Sequence, residues 1–272
     1  MKGILITVNY NNFENIKNYI NSVFSINKEI DIYIYDNNSD QEYKQKIKEY
    51  LNNINFKNIK FIESDLNIGY FPAIRKVYDK FIKNENFDYL IVSNNDIFIN
   101  DKLFFEKLEK YLDKYHVIAP RIISLISGKD QNPYRETSIK KIHKIAYKIY
   151  YSNIFIGLIC YYLREFLRLF EKRKIPLLSE REIFGAHGSF IIFTKKFFEN
   201  GGYIEDSNFL YGEEDSITGI CLQHNMKIGF VPELIVYHDE HKTTNAHSFK
   251  IRNYCYLRKA YKNVKEKFPQ IY

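Results

Sequence analysis

Short apolar runs alternate with helix-length amphipathic stretches over the first 120 residues. Ile4–Val8, Ile30–Tyr35, Ile59–Ile62 and Asp88–Val92 are nearly continuous apolar runs, as expected for strands buried on both faces. Between them, Phe13–Phe24 puts Phe13, Ile16, Ile20, Val23 and Phe24 on one helical stripe. Tyr43–Leu51 and Ala73–Ile82 also read as helices. This βαβαβαβ order predicts an α/β fold: a doubly wound, mostly parallel central sheet flanked by helices. Right-handed crossovers then bring the carboxyl ends of the strands to one edge, where ligands bind in such sheets.

The alternation weakens after a helix at Lys102–Leu112 and a strand at His116–Ala119. Pro120–Glu136 reads as irregular chain. Ile139–Phe170 is helical, aromatic and basic, which marks an inserted segment. A Gly-rich stretch then leads a strand within Phe184–Phe193. A helix from Ser216 to His224, a strand at Lys227–Val231 and a C-terminal helix at Ser248–Phe268 complete the series. Three parts result, at residues 1–138, 139–178 and 179–272.

With 272 residues, 45% hydrophobic and 27% charged, the composition is that of a globular protein. Cys160, Cys221 and Cys255 have no paired spacing, so neither a zinc site nor a disulfide framework is expected, and a reducing compartment fits. The first residues read as a strand without a small-residue cleavage site, so a cytoplasmic location is expected. Net charge is +7, and its distribution is uneven. Residues 140–174 hold nine Lys/Arg, including Lys172, Arg173 and Lys174, against Glu165 and Glu171, which equals the whole excess. The apolar core of this stretch, Ile149–Leu163, is shorter than the ~20 residues that span a bilayer. It suits an interfacial helix on an anionic membrane, through residues 139–174. An ordinary hairpin with a solvated basic face is the alternative. A nucleic-acid role would show steep salt dependence; no nucleic-acid partner is expected.

Candidate chemistry gathers where strands end. Ser93, Asn94, Asn95 and Asp96 follow the Asp88–Val92 run. A carboxylate beside amide oxygens is a hard donor set that suits Mg²⁺ or Mn²⁺ on a diphosphate, or else a plain Asn/Asp turn. Asp36-Asn-Asn-Ser39 could accept from a base or ribose, or form an Asx-turn. The first loop, Asn9-Tyr-Asn-Asn12, has no glycine, which disfavours a classical dinucleotide fold. Glu213, Glu214 and Asp215 precede a helix, where the dipole favours carboxylates and where a general base could sit. His238, within Val236–His241, could complete a metal site or lie on the surface.

The ordered series Thr7-Val-Asn-Tyr-Asn, Asp36-Asn-Asn-Ser39, Asn67-Ile-Gly69, Asn94-Asn-Asp96, Gly185-Ala-His-Gly188, Glu214-Asp215 and Tyr237-His238 resembles the family 2 glycosyltransferases of GT-A fold. Within them it is similar to a bacterial rhamnosyltransferase-like group that builds surface polysaccharides such as capsule or O-antigen. The resemblance covers about residues 3–119 and 184–258. It implies a nucleotide-sugar-binding half at 1–138 and an acceptor-binding, catalytic half at 179–272. Thr7, Asn9, Tyr10, Asp36, Asn38, Asn67, Gly69, Asn94 and Asn95 would hold a dTDP- or UDP-sugar. Asp96 and His238 would serve a Mn²⁺ or Mg²⁺ ion. Asp215, with Glu214 as second candidate, would be the general base, and His187 and Gly188 would lie near a saccharide or polyprenyl-linked saccharide acceptor. The implied activity is inverting hexosyl transfer at the inner face of the cytoplasmic membrane. Asn94 departs from the family's first metal-motif aspartate, which weakens the expected ion site. Two other readings compete: a non-catalytic nucleotide-sugar-binding partner protein, and a nucleotidyltransferase, which should carry a Gly-rich basic first loop.

Overall fold

A computed structural model describes residues 1–54, 57–168, 178–240 and 251–272. Strand β1 (Gly3–Asn9) leads to α1 (Phe13–Phe24), β2 (Asp31–Asp36), α2 (Gln41–Asn53), β3 (Ile59–Glu63) and α3 (Tyr70–Val77). α3 continues as a π-helical turn, Tyr78–Ile82. β4 (Tyr89–Asn94), β5 (Ile97–Phe98), α4 (Phe104–Glu109) and β6 (Val117–Ser124) follow. The inserted hairpin is α5 (Lys141–Tyr150) and α6 (Ile154–Arg168). β7 (Arg181–Ile183), β8 (Phe190–Thr194), α7 (Lys195–Glu199), α8 (Glu213–Gln223), β9 (Ile228–His238) and α9 (Ile251–Lys267) complete the chain.

The described strands form one sheet in the order β3-β2-β1-β4-β8-β6-β9-β5, with β7 also on β9. β1, β2, β3, β4, β6 and β9 run one way, while β8, β5 and β7 run against them. The strand alternation sorts side chains to two cores. Ile4, Ile6, Leu90 and Val92 pack with α3, α8 and α9. Leu5, Ile91 and Ile192 pack with α1, α2 and α4 on the other face. β8 sits between β4 and β6, so residues far apart in the chain share one sheet edge.

Several expectations shift. β6 runs on through Pro120 to Ser124, and β9 runs to His238. A register break opposes Pro120 to Val231 and then Arg121 to Ile235; a bulge of this kind admits the prolines at 120 and 232. The Gly185–Ser189 stretch is a loop, and β8 starts only at Phe190. α8 begins at Glu213, so the three acids form its first turn. The 139–170 helix breaks at Tyr151–Asn153. Phe170, Lys172, Arg173 and Lys174, His241 and the 248–250 start of the last helix lie outside the described residues.

α5 buries none of its residues. It is held at its C-terminus, where helix carbonyls lack partners. The Tyr254 hydroxyl of α9 donates to the carbonyls of Tyr150 (2.6 Å) and Asn153 (2.7 Å). Arg258 donates to those of Tyr151 (2.8 Å) and Ser152 (2.6 Å). Gly157 of α6 packs on the Tyr254 ring so closely that a Cβ would fall 2.3 Å from it. Tyr254→Phe should therefore lower stability by about 1 kcal/mol, read as a lower urea midpoint. An unchanged midpoint would show that the hairpin is held elsewhere.

Candidate active site

The β2 edge carries one polar knot. Asp36 is fully buried. Its carboxylate accepts from Asn9 Nδ2 (3.1 Å) and from the Ser39 amide (2.9 Å), and Lys44 Nζ lies 3.9 Å away. Asn95 Nδ2 donates to Asn9 Oδ1 at 3.0 Å, which ties the β4 loop to the same knot. Asp36 thus shapes the loop, and the exposed residue of this turn is Asn38, held at φ 67°. Asn37, not singled out from the sequence, donates to the Gly69 carbonyl and accepts from the Ile68 amide (2.9 and 2.8 Å). Gly69 has φ 95°, and a Cβ there would strike the Phe209 carbonyl at 2.1 Å; only glycine fits. Asn67 accepts from the Gly69 amide. Thr7 is buried inside β1, opposite Ser93, with no hydrogen-bond partner for its hydroxyl among the described residues. Tyr10 is 55% exposed on the loop after β1, and Asn94 is half-buried at the end of β4.

Asp96 and His238 meet across the β5–β9 end of the sheet. Asp96 Oδ1 is buried and takes no hydrogen bond, yet His238 Nε2 stands 3.1 Å from it. The other ring nitrogen, Nδ1, faces Gln131 Oε1 at 2.7 Å. Gln131 Nε2 in turn donates to Glu240 at 2.5 Å, and Glu240 accepts from Ser124 at 2.7 Å. Gln131, held by Glu240, thus fixes the His238 ring beside Asp96. The buried, unpaired Asp96 oxygen beside a ring nitrogen is a donor set that fits a divalent ion. Among the described residues no three His, Cys, Asp or Glu side chains gather at one point. The protein would supply two ligands, and a diphosphate and water would supply the rest, as is usual for Mg²⁺. Gln131 and Glu240 were not recognised from the sequence.

His187 and Gly188, expected near an acceptor, lie in the loop before β8. His187 accepts from nothing charged; its amide donates to Asn132 Oδ1 (2.7 Å) and its Nδ1 is 3.0 Å from the Ser189 hydroxyl. Burial, with His238 6.4 Å away ring to ring, pushes it down to about 4, so it is neutral at pH 7. The Gly188 amide donates to Glu214 Oε1 at 3.1 Å. Burial, and then the Asp215 charge, raise Glu214 above the ordinary carboxylate range. Glu213 is raised likewise by burial and by Glu214. Asp215 is used differently. It forms a two-point pair with Arg135 (3.0 and 3.2 Å) and also accepts from the Tyr272 hydroxyl. Arg135 bonds Tyr147 as well, and its backbone pairs with Gly185. Asp96, His238, His187, Gly188 and Glu214 thus line one rim, while Asp215 sits behind it.

Residues 4–201 match the family described as Glycosyl transferase family 2. The chain belongs to glycosyl transferase family 2. Its matched range stops before Glu213–Asp215 and His238. Among solved structures it is similar to GalNAc-T7 with UDP, GalNAc and Mn²⁺, at TM-score 0.64 and 16% identity, over 97% of this chain and 48% of that one. The mannosyltransferase PcManGT from Pyrobaculum calidifontis, in complex with GDP-Man and Mn²⁺, matches at TM-score 0.59 and 12% identity, over 97% of this chain and 64% of that one. S. aureus TarS 1–349 matches at TM-score 0.55 and 16% identity, over 88% and 60%. The chain thus spans about half to two thirds of these proteins, which show the shared GT-A fold. No curated protein sequence matches it.

Gln131→Leu should remove the acceptor that orients His238 and weaken Mn²⁺ binding by ~10-fold or more, while Gln131→Glu retains it. Titration of Mn²⁺ by electron paramagnetic resonance in the presence of UDP checks this; equal affinity in Gln131→Leu would remove His238 from the ion site.

Proposed function

We propose that the chain transfers a sugar from a dTDP- or UDP-sugar to a saccharide acceptor, with inversion, during assembly of a cell-surface polysaccharide. The observation that carries this reading is the rim itself. The Asp96–His238 pair and a half-buried carboxylate, Glu214, are joined through His187 and Gly188 at one sheet edge. Asp96 and His238 would hold a divalent ion, which would supply positive charge to the departing diphosphate. Asn9, Asp36, Asn38, Asn67, Gly69, Asn94 and Asn95 shape the nucleotide side, and Thr7 and Tyr10 flank it.

Glu214 is assigned as the base, in preference to Asp215. Burial raises its carboxylate above the ordinary range, which makes it a stronger proton acceptor, whereas Arg135 and Tyr272 already occupy Asp215. Glu214 takes the proton of an acceptor hydroxyl, the acceptor oxygen bonds the anomeric carbon, and the bond to the diphosphate breaks with its electron pair. A single displacement inverts that carbon. His187, neutral, holds the loop beside the acceptor.

The hairpin supports attachment to an anionic membrane. Ile142, Ile145 and Ile149 are exposed on one face of α5, and Phe155, Ile159, Tyr162 and Phe166 on one face of α6. Lys140, Lys141 and Lys148 are exposed beside them. Among the described residues no helix is long and apolar enough to cross a membrane, so the attachment would be peripheral, at the inner face, where a polyprenyl-linked acceptor is available.

Glu214→Gln should keep nucleotide-dependent thermal stabilisation and lower transfer by ~10²-fold or more. Asp215→Asn should instead destabilise the fold by about 3–5 kcal/mol, because it leaves Arg135 half-buried and unpaired. Because Asp215 raises Glu214 and Arg135 lowers it, the acid limb of the rate profile should move to lower pH in Asp215→Asn. Wild-type transfer by Glu214→Gln would return the base to Asp215. Retention on phosphatidylserine vesicles should fall in an Ile145→Glu, Phe155→Glu double variant; unchanged retention would detach the hairpin from any membrane role.

A further inference from the structure

α5 carries two stripes on opposite faces. Lys144, Tyr147 and Tyr151 stand at i, i+3 and i+7, one face of a helix. Ile142, Ile145 and Ile149 repeat that spacing, each two residues earlier. At about 100° per residue the two stripes lie ~160° apart. The first is docked. Lys144 Nζ donates to the Gln270 carbonyl (3.3 Å), and Arg135 donates to the Tyr147 hydroxyl (3.2 Å). The Tyr151 ring stacks on Tyr261 of α9 at 4.7 Å. The second stripe faces outward, with Ile142 70% and Ile145 59% exposed.

This helix is weak without cover on both faces. It has 10 residues, and isolated helices shorter than ~12–15 residues are marginal in water. Lys140 at its N-cap supplies no side-chain cap, and its first turn holds no acid. Lys140 and Lys141 instead put positive charge at the positive end of the helix dipole, which opposes the helix. An anionic surface removes that opposition. The charge of the whole hairpin agrees, because residues 137–164 hold Lys140, Lys141, Lys144, Lys148 and Arg164 but no Asp or Glu. An apolar stripe edged by lysines fits the headgroup region of an anionic bilayer.

The docked stripe ends at the residue that organises the rim. Arg135 pairs at two points with Asp215, and its backbone pairs with Gly185. It thus joins α5 to the first turn of α8 and to the loop whose Gly188 amide reaches Glu214. Both stripes are aligned only while α5 is helical. A surface that binds the outer stripe therefore favours the inner one, by the difference in its affinity for helical and unwound α5.

We propose that an anionic membrane surface regulates the catalytic rim as well as anchoring the chain. Seated on Ile142, Ile145 and Ile149, the bilayer holds the opposite stripe against Arg135. Order then passes to the first turn of α8 and to the Gly185–Gly188 loop. Tyr147 is the positioning residue of this coupling, because its hydroxyl bonds Arg135 directly. The coupling rests on the membrane reading of the hairpin, and it is independent of which acid is the base.

The test is hydrogen–deuterium exchange of the full chain with phosphatidylserine or phosphatidylcholine vesicles, with vesicle retention measured in parallel. Phosphatidylserine should slow exchange of amides 185–189 and 213–217 about three- to tenfold, the scale of one hydrogen bond. Phosphatidylcholine should leave them unchanged. Tyr147→Phe keeps the outer stripe, so it should stay on the vesicles yet lose the slowing. A Lys141→Glu, Lys148→Glu double variant should lose both. Wild-type exchange in β1–β4 reports that each variant is folded. Retention without slowing in the wild type, or full slowing in Tyr147→Phe, overturns the coupling and leaves attachment standing. No retention of the wild type overturns the membrane reading, and the coupling with it. Sedimentation as a dimer without lipid, lost in Ile145→Glu, would seat a second copy on the stripe and also overturn the proposal.

Discussion

Arg135 and Asp215 form a largely buried ion pair across 80 residues of sequence, and the active-site side of the molecule is arranged around it. The pair joins the loop after β6 to the first turn of α8. Through Tyr147 and Tyr272 it also reaches the inserted hairpin and the C-terminal residues. Such a pair gains little over well-packed apolar groups, but losing one partner is severe. Its contribution is registry. It brings Gly185–Ser189 against α8, so that the Gly188 amide reaches Glu214.

The two chemical halves of the rim are built by different means. The ion site depends on a hydrogen-bond relay, Ser124 to Glu240 to Gln131 to His238, which fixes the orientation of one ring. The proposed base, Glu214, is raised by burial and by the neighbouring Asp215 charge. A ring held by a relay and a carboxylate raised by burial are independent devices, and each can change without dismantling the other.

The first four strands were legible because their apolar runs are continuous and their helices periodic; those signals are local. The course of β6 past Pro120 was not, because the break that admits the proline lies in pairing with β9, more than 100 residues on. Gln131 and Arg135 lay in chain that reads as irregular, and their partners are 107 and 80 residues away. Choosing between Glu214 and Asp215 needed the phase of α8. Neighbouring residues on a helix point about 100° apart, so a start at Glu213 rather than Ser216 decides which acid meets Gly188. Asp96 and His238 were visible as residue types at strand ends, and only the family resemblance implied that they converge.

α5 has no buried side chain and is fastened by aromatic rings and by the end-capping bonds of Tyr254 and Arg258. Elements of that kind open at a far lower free energy than a central sheet. The cavity that Tyr147 and Tyr151 line against α9 therefore exists only while the hairpin is docked, and it is lost in a local opening that leaves β1–β4 intact. Any surface that favours the docked hairpin would therefore also favour a formed cavity.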